Sequence, residues 1–298
     1  MPLSPAEDSH NERHGQERHG QERPGPAESG AAAPGAAPPV QLQTLHWGDP
    51  WRWLGAGARD VRRAWGVALF YGLCFWGMAL CLAWVFSASP EYVMSMASGC
   101  LLLGPFLAMG LYDTSRRLER GEAPDLGRSI TAWDRNLGGM GMLVLVLIVL
   151  ELLWGRASLV VFAVFFDTGM PSTTGVLQAI FRPENWEFIA VYAAVGGSFA
   201  LLVFGTTAVS MPMMLDRGTD ALTAGLTSMQ VVLGNLGMML VWGALIAVLV
   251  GASFLVLWGL PLLLVGPLLG CASWHAYRSA VVALPYTPPA TPAPEPVP

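Results

Sequence analysis

Between residues 64 and 277, long uncharged runs alternate with short polar segments, and that alternation predicts membrane-spanning helices. Ala64 to Pro90 holds 27 residues without Asp, Glu, Lys or Arg, and Tyr92 to Tyr112 holds 21. At 1.5 Å per residue, 21 helical residues cover about 31 Å, close to the hydrocarbon thickness of a bilayer. Asn136 to Phe166 is a third run, interrupted by Glu151 and Arg156, and Phe188 to Leu215 is a fourth, of 28 residues. The 57 residues from Ala221 to Tyr277 are too many for one crossing and divide best near Trp258-Gly259-Leu260-Pro261. Six crossings result.

Three segments ahead of crossings one, three and five carry apolar residues at spacing 4, 3, 4. They are Leu54-Ala58-Val61-Trp65, Leu126-Ile130-Trp133-Leu137 and Leu222-Leu226-Met229-Leu233. Asp125 and Asp220 stand just before two of them and Asp49-Pro50 before the first, as helix-start signals. Helical spacing with a polar opposite face predicts amphipathic helices along the cytoplasmic surface, over Trp51–Trp65, Leu126–Asn136 and Ala221–Leu233. The even-numbered crossings also correspond. Gly104-Pro105 precedes Arg116 by the same spacing as Gly205-Thr206 precedes Arg217 and Gly266-Pro267 precedes Arg278. The expected fold is therefore an all-α membrane protein with six transmembrane helices, in three repeats of an interfacial helix plus a transmembrane hairpin. The middle unit is longer by about thirty residues, all between Arg156 and Glu187. That outer loop is either a place for specific function or plain solvated chain.

The transmembrane domain spans 50–283. Residues 1–49 are polar and proline-rich, with Glu-Arg-His-Gly-Gln at Glu12 and again at Glu17, and too little apolar surface to offset ordering entropy. They are expected to form a disordered cytoplasmic tail. Residues 284–298 form a second one, with seven prolines from Pro285 onward. No apolar run near Met1 resembles a signal peptide.

Composition agrees with lipid as the solvent. Of 298 residues, 53 % are hydrophobic and 12 % charged, against about a quarter charged in ordinary globular proteins. A water-soluble enzyme and a nucleic-acid binder are excluded on this reading, the latter because no basic patch of useful size exists. There is no lysine, and the arginines are distributed unevenly. Arg52, Arg59, Arg62 and Arg63 precede the first crossing; Arg116, Arg117, Arg120, Arg128 and Arg135 lie between the second and third; Arg217 and Arg278 follow the fourth and sixth. Only Arg156 and Arg182 fall on the other side. The positive-inside rule then places both termini in the cytoplasm of a bacterial inner membrane, with Ser87–Glu91 and Asp167–Glu187 outside.

Candidate chemistry is sparse. Glu151 and Arg156 are ionisable groups within a crossing, where such groups mark function by default. They form a gate, a relay or a structural ion pair, although five residues is a poor helical pairing and Arg156 can snorkel to the outer interface. His275 and Cys271 share one turn, but a metal site needs three or four ligands, and a helix C-terminus explains a histidine there. No metal or cofactor is implied: a single intramembrane histidine cannot serve a two-haem core, and neither G-x-S-x-G nor H-E-x-x-H occurs. Cys74, Cys81, Cys100 and Cys271 lack a C-x-x-C pairing. Gly266 and Gly270 read as a helix-packing pair, and Trp51, Trp53, Trp65 and Trp133 as interfacial anchors.

The segment Gly104-Pro105-Phe106-Leu107-Ala108-Met109-Gly110-Leu111-Tyr112, followed by Ser115-Arg116-Arg117-Leu118-Glu119-Arg120-Gly121-Glu122, resembles the bacterial membrane-protein family DUF2189. Leu215-Asp216-Arg217, Trp242 and Trp274-His275-Ala276-Tyr277-Arg278 are similar to it as well, so the resemblance extends from Trp53 to Val282. It implies a six-helix inner-membrane protein without an assigned activity or known site residues. The leading expectation is a non-enzymatic scaffold or accessory protein, with the bilayer and membrane-protein partners or self-association as its contacts. A small-solute or ion transporter with Glu151 in its pathway is the first alternative, and an accessory subunit of a respiratory complex the second. A water-accessible cavity reaching Glu151 would favour transport, and a dry bundle the scaffold.

Overall fold

The computed structural model describes residues 40–88, 92–165 and 185–283. The Glu12 repeat, residues 89–91, most of the expected outer loop and the proline-rich end lie outside the described residues. A strand β1 (Val40–Leu42) leads to helix α1 (Asp49–Arg63), which has Pro50 in its first turn, where a missing N–H costs nothing. Ala64, at φ −114° and ψ 39°, separates α1 from α2 (Trp65–Ala88). Helix α3 (Val93–Glu119) follows, then the short α4 (Leu126–Ile130), whose N-cap Asp125 accepts from the Arg128 amide at 3.2 Å. A 3-10 turn over Ala132–Asn136 enters α5 (Leu137–Phe165).

Helix α6 (Trp186–Thr207) continues after a brief break into α7 (Ser210–Arg217). Gly218 ends α7 at φ 63°, the left-handed conformation that glycine adopts without a Cβ penalty. Asp220 then caps α8 (Ala221–Gly234), and the Thr223 amide bonded to it at 2.9 Å holds its carboxyl below the usual range. Asn235, at φ −127° and ψ 37°, breaks the chain before α9 (Leu236–Leu255) much as Ala64 does before α2. The run expected to divide near Trp258 does so: a turn at Leu257–Gly259 precedes α10 (Leu262–Ala280) and the strand β2 (Val281–Ala283).

Four helical stretches, α2, α5, α6 with α7, and α9, are long and apolar enough to cross a membrane. The other two expected crossings coincide with α3 and α10, helices of 27 and 19 residues, each with a proline inside it. All three expected interfacial segments are helical and set off from the following long helix by a break or a 3-10 turn.

Close packing follows the glycines. A Cβ on Gly57 of α1 would stand 2.8 Å from the Ala272 amide nitrogen and 2.9 Å from the Leu268 carbonyl oxygen of α10. Gly72 of α2 faces the Leu263 carbonyl, Gly266 faces the Phe75 ring, and Gly270 faces Leu111 of α3. The Gly266/Gly270 pair therefore serves two neighbouring helices rather than one. Helix α4 docks on α3 through Ser129, whose hydroxyl donates to the Gly110 carbonyl at 2.8 Å and is hydrogen-bonded to the Tyr71 hydroxyl at 2.8 Å. Helix α8 docks on α6 in the same manner, the Ser228 hydroxyl donating to the Gly205 carbonyl at 2.6 Å.

Two expectations are corrected. Residues 40–48 belong to the folded part: β1 pairs antiparallel with β2, Val40 opposite Ala283. Asn235 fastens the same stretch, accepting from the Leu45 amide at 2.8 Å and donating to the Gln43 carbonyl at 3.2 Å. Composition missed this because strand and side-chain bonds to backbone need no apolar surface. Trp53 is buried rather than interfacial; it meets Trp242 edge-on at 5.3 Å and donates to the Ser279 hydroxyl at 3.0 Å. Trp51 and Trp65 are exposed.

The apolar stripe of α8 points outward, with Leu222, Leu226 and Leu233 67 %, 58 % and 63 % exposed, whereas Ala224, Thr227, Ser228 and Val231 face the protein. Lipid solvates leucine as well as a protein core does, so protein contacts go to small residues and to polar groups that need partners.

Candidate intramembrane site

Helix α5 is apolar from Leu137 onward, and Glu151 is its fifteenth residue, about 21 Å along the axis. In a crossing that began at Leu137, the carboxylate would stand about two-thirds of the way through a hydrocarbon core of about 30 Å. Glu151 is half-buried and borders a cavity of about 680 Å³ between α3, α5 and α6, within the size range of ligand pockets. Gly104 and Pro105 form the α3 wall, Glu151 and Trp154 the α5 wall, and Phe199 and Thr207 the α6 wall. Gly104 presents no side chain there and nothing described would touch a Cβ added to it, so the groove is open at that point.

Trp154 stands three residues beyond Glu151, on the same helix face. Its ring lies against Gly196 of α6, where a Cβ would be 3.0 Å away, and meets Tyr192 at 5.3 Å and Phe199 at 5.8 Å. The aromatic column continues along α5 through Phe162 and Phe188, 5.0 Å apart, and Tyr192 shares a hydrogen bond with Ser158 at 3.2 Å. These contacts bind α5 to α6 and set the position of the Trp154 ring beside the carboxylate. Thr207 donates its hydroxyl to the Val203 carbonyl at 2.7 Å, so that donor is spent within the helix. Among the described residues, Glu151 is the one ionisable side chain in the wall.

Arg156, the other residue singled out by sequence, is exposed and lies outside that wall. Five residues turn it about 140° around α5 from Glu151. His275, considered as a ligand with Cys271, instead faces Asp60 of α1, its Nε2 2.8 Å from the carboxylate. Among the described residues no three His, Cys, Asp or Glu side chains come together as a metal site.

Several of the arginines counted for topology have partners on other helices or their own. Asp113 is fully buried between Arg116 at 2.5 Å and Arg117 at 2.7 Å. Arg116, near the end of α3, also donates to the Leu215 carbonyl of α7 at 2.8 Å. Arg217, ending α7, donates to the Tyr277 hydroxyl of α10 at 3.0 Å. Arg278, near the end of α10, donates to Glu119 of α3 at 3.0 Å, and Glu119 also accepts from the Trp274 indole at 3.0 Å. Spacing equated these three arginines; their acceptors on other helices were beyond a reading along the chain.

Residues 92–216 match the DUF2189 family. The family is described as a predicted integral membrane protein. The match runs from the start of α3 to the end of α7 and so contains all three walls of the cavity; it is shorter than the Trp53–Val282 extent of the resemblance read from sequence. Neither a curated protein nor a solved structure matches the chain. The DUF2189 match and the apolar helices together make this an integral membrane protein.

Proposed function

We propose that the chain crosses a bacterial inner membrane six times as three units, closed into a ring, and takes up a small amphipathic solute in the groove at Glu151. The cavity beside that carboxylate carries the proposal. A groove of ligand size, mainly apolar among the described residues and bordered by a carboxylate, supports binding and transfer. The role is read as non-enzymatic, because among the described residues of the wall no side chain combines with Glu151 as nucleophile and base.

The ring is supported by contacts that advance from unit to unit in one direction. The interfacial helix of each unit lies on the second long helix of the preceding one: α4 on α3, α8 on α6, and α1 on α10, which closes the circle. The terminal arginines step the other way, from the first unit to the second, the second to the third and the third to the first. Such a ring would gather the terminal arginines and their acceptors at one end, and the positive-inside rule supports a cytoplasmic position for that end.

The test is retention of bound molecules. Wild-type protein purified in lipid nanodiscs should carry a small molecule, identified by mass spectrometry of the extract, that is depleted when Ala200→Trp fills the groove. Ala200 is an exposed wall residue of α6, so the indole enters open space. Identical extracts from the two proteins would contradict the binding role.

A further inference from the structure

Away from the groove, and resting only on the part of the proposed reading that lays α1 along the membrane surface, we infer that α1 seats the headgroup of an anionic phospholipid over Gly55. Helix α1 has three sectors. Trp53, Gly57 and Asp60 face the protein and are buried. Leu54, Ala58 and Val61 are half-buried at its flank, and Arg52, Arg59, Arg62 and Arg63 are exposed. At about 100° per residue, Arg52, Arg59 and Arg63 fall within about 40° of one another. Trp51, 66 % exposed, stands on the border between the aliphatic and arginine sectors, and Trp65, 69 % exposed, follows the end of the helix. Indoles so placed sit at headgroup level, with the aliphatic flank toward the acyl chains.

Charge and room both select the ligand. The two carboxylates of α1 are turned inward: Asp49 is buried and accepts from the His46 amide at 2.7 Å, and Asp60 is buried beside His275. Asp49 also pairs with Arg52 at 3.4 Å, but among the described residues no carboxylate lies within 4 Å of Arg59, Arg62 or Arg63. Gly55 stands one turn from Trp51 and Arg52 on one side and from Arg59 on the other. Among the described residues, a Cβ on Gly55 would meet the Arg59 guanidinium alone, at 3.9 Å, so the surface between the guanidiniums is open. A phosphodiester offers two free oxygens to the planar forks of arginine. A zwitterionic lipid would bring its own ammonium against them, which favours the anionic headgroup. The other two interfacial helices lack this face: α4 has one arginine, Arg128, 3.7 Å from Asp125, and α8 has no charged residue.

The test uses full-length protein with p-benzoyl-phenylalanine in place of Trp51, in nanodiscs of phosphatidylglycerol and phosphatidylcholine in equal parts and with identical acyl chains. Irradiation links the benzophenone to whatever lies against it, and mass spectrometry identifies the adducts. The same group in place of Val248, an exposed residue of α9, gives the reference. At Trp51, phosphatidylglycerol adducts should exceed phosphatidylcholine adducts about fivefold or more, and at Val248 the two should be about equal. Arg59→Gln, Arg62→Gln and Arg63→Gln together should bring the Trp51 ratio to that of Val248. Gly55→Leu, which keeps every charge and fills the seat, should remove most of the preference. Equal adducts of the two lipids at Trp51, or a preference that survives either set of substitutions, would overturn the inference while leaving α1 at the membrane surface. Lipid adducts at Val248 with none at Trp51 would overturn the inference and the surface placement together. The ratio at Trp51 in the otherwise native chain needs none of these substitutions, so a variant that fails to fold does not remove the test.

Discussion

Asp113 shows what a single carboxylate does when it is fully enclosed. Two guanidiniums at 2.5 Å and 2.7 Å hold it, and Arg116 and Arg117 are themselves buried. Removing one partner of such a group leaves uncompensated buried charge, at a cost of about 3–5 kcal/mol. Asp113→Asn should therefore sharply lower membrane abundance and the apparent Tm of the purified protein. Arg120, half exposed and 3.7 Å from Asp216, makes a surface pair worth roughly 0–1 kcal/mol, so Arg120→Ala should leave both readouts near wild type. Thermal unfolding of the two variants in one detergent checks the contrast. Much of this scale was illegible along the chain. Glu151 stood out because a charge in an apolar run is conspicuous, but Trp154, Gly196 and Phe199 look like any lipid-facing residues until α5 and α6 are side by side. The arginines were visible along the chain as an uneven distribution, not as donors to Leu215, Tyr277 and Glu119.

At the level of elements, helix positions and their breaks were readable because charge-free length, capping aspartates and the Trp258 turn are local signals. Which face of each helix meets protein was not. In a membrane, apolar periodicity does not separate core from lipid, and small residues decide the contact. Gly57 is the sharpest case, since the atoms that would meet its Cβ are backbone atoms of α10 and cannot rotate away. Gly57→Ala should lift α1 from α10 and destabilise the protein by about 1–3 kcal/mol, the usual range for overpacking. Gly77, in the middle of α2, has no described atom within 4 Å of where a Cβ would stand, so Gly77→Ala should be neutral or stabilising by up to about 1 kcal/mol. Denaturation midpoints of the two alanine variants, measured together, distinguish close approach from general helix propensity.

For the molecule as a whole, the repeated spacing of Gly104, Gly205 and Gly266 before Arg116, Arg217 and Arg278 was visible in sequence, while the contact of α1 with α10 was not. That contact joins residues more than two hundred positions apart, and the proposed closure of the ring would depend on it and on the pairing of β1 with β2. The three-unit ring requires six crossings, with the interfacial helices and the arginine ring on the cytoplasmic side. Five fusions of a reporter active only in the periplasm, placed after Ala88, Gly121, Gly218, Leu257 and Ala283, measure this directly. The expected result is activity after Ala88 and Leu257 and silence after Gly121, Gly218 and Ala283; periplasmic activity after Ala283 would contradict the six-crossing ring.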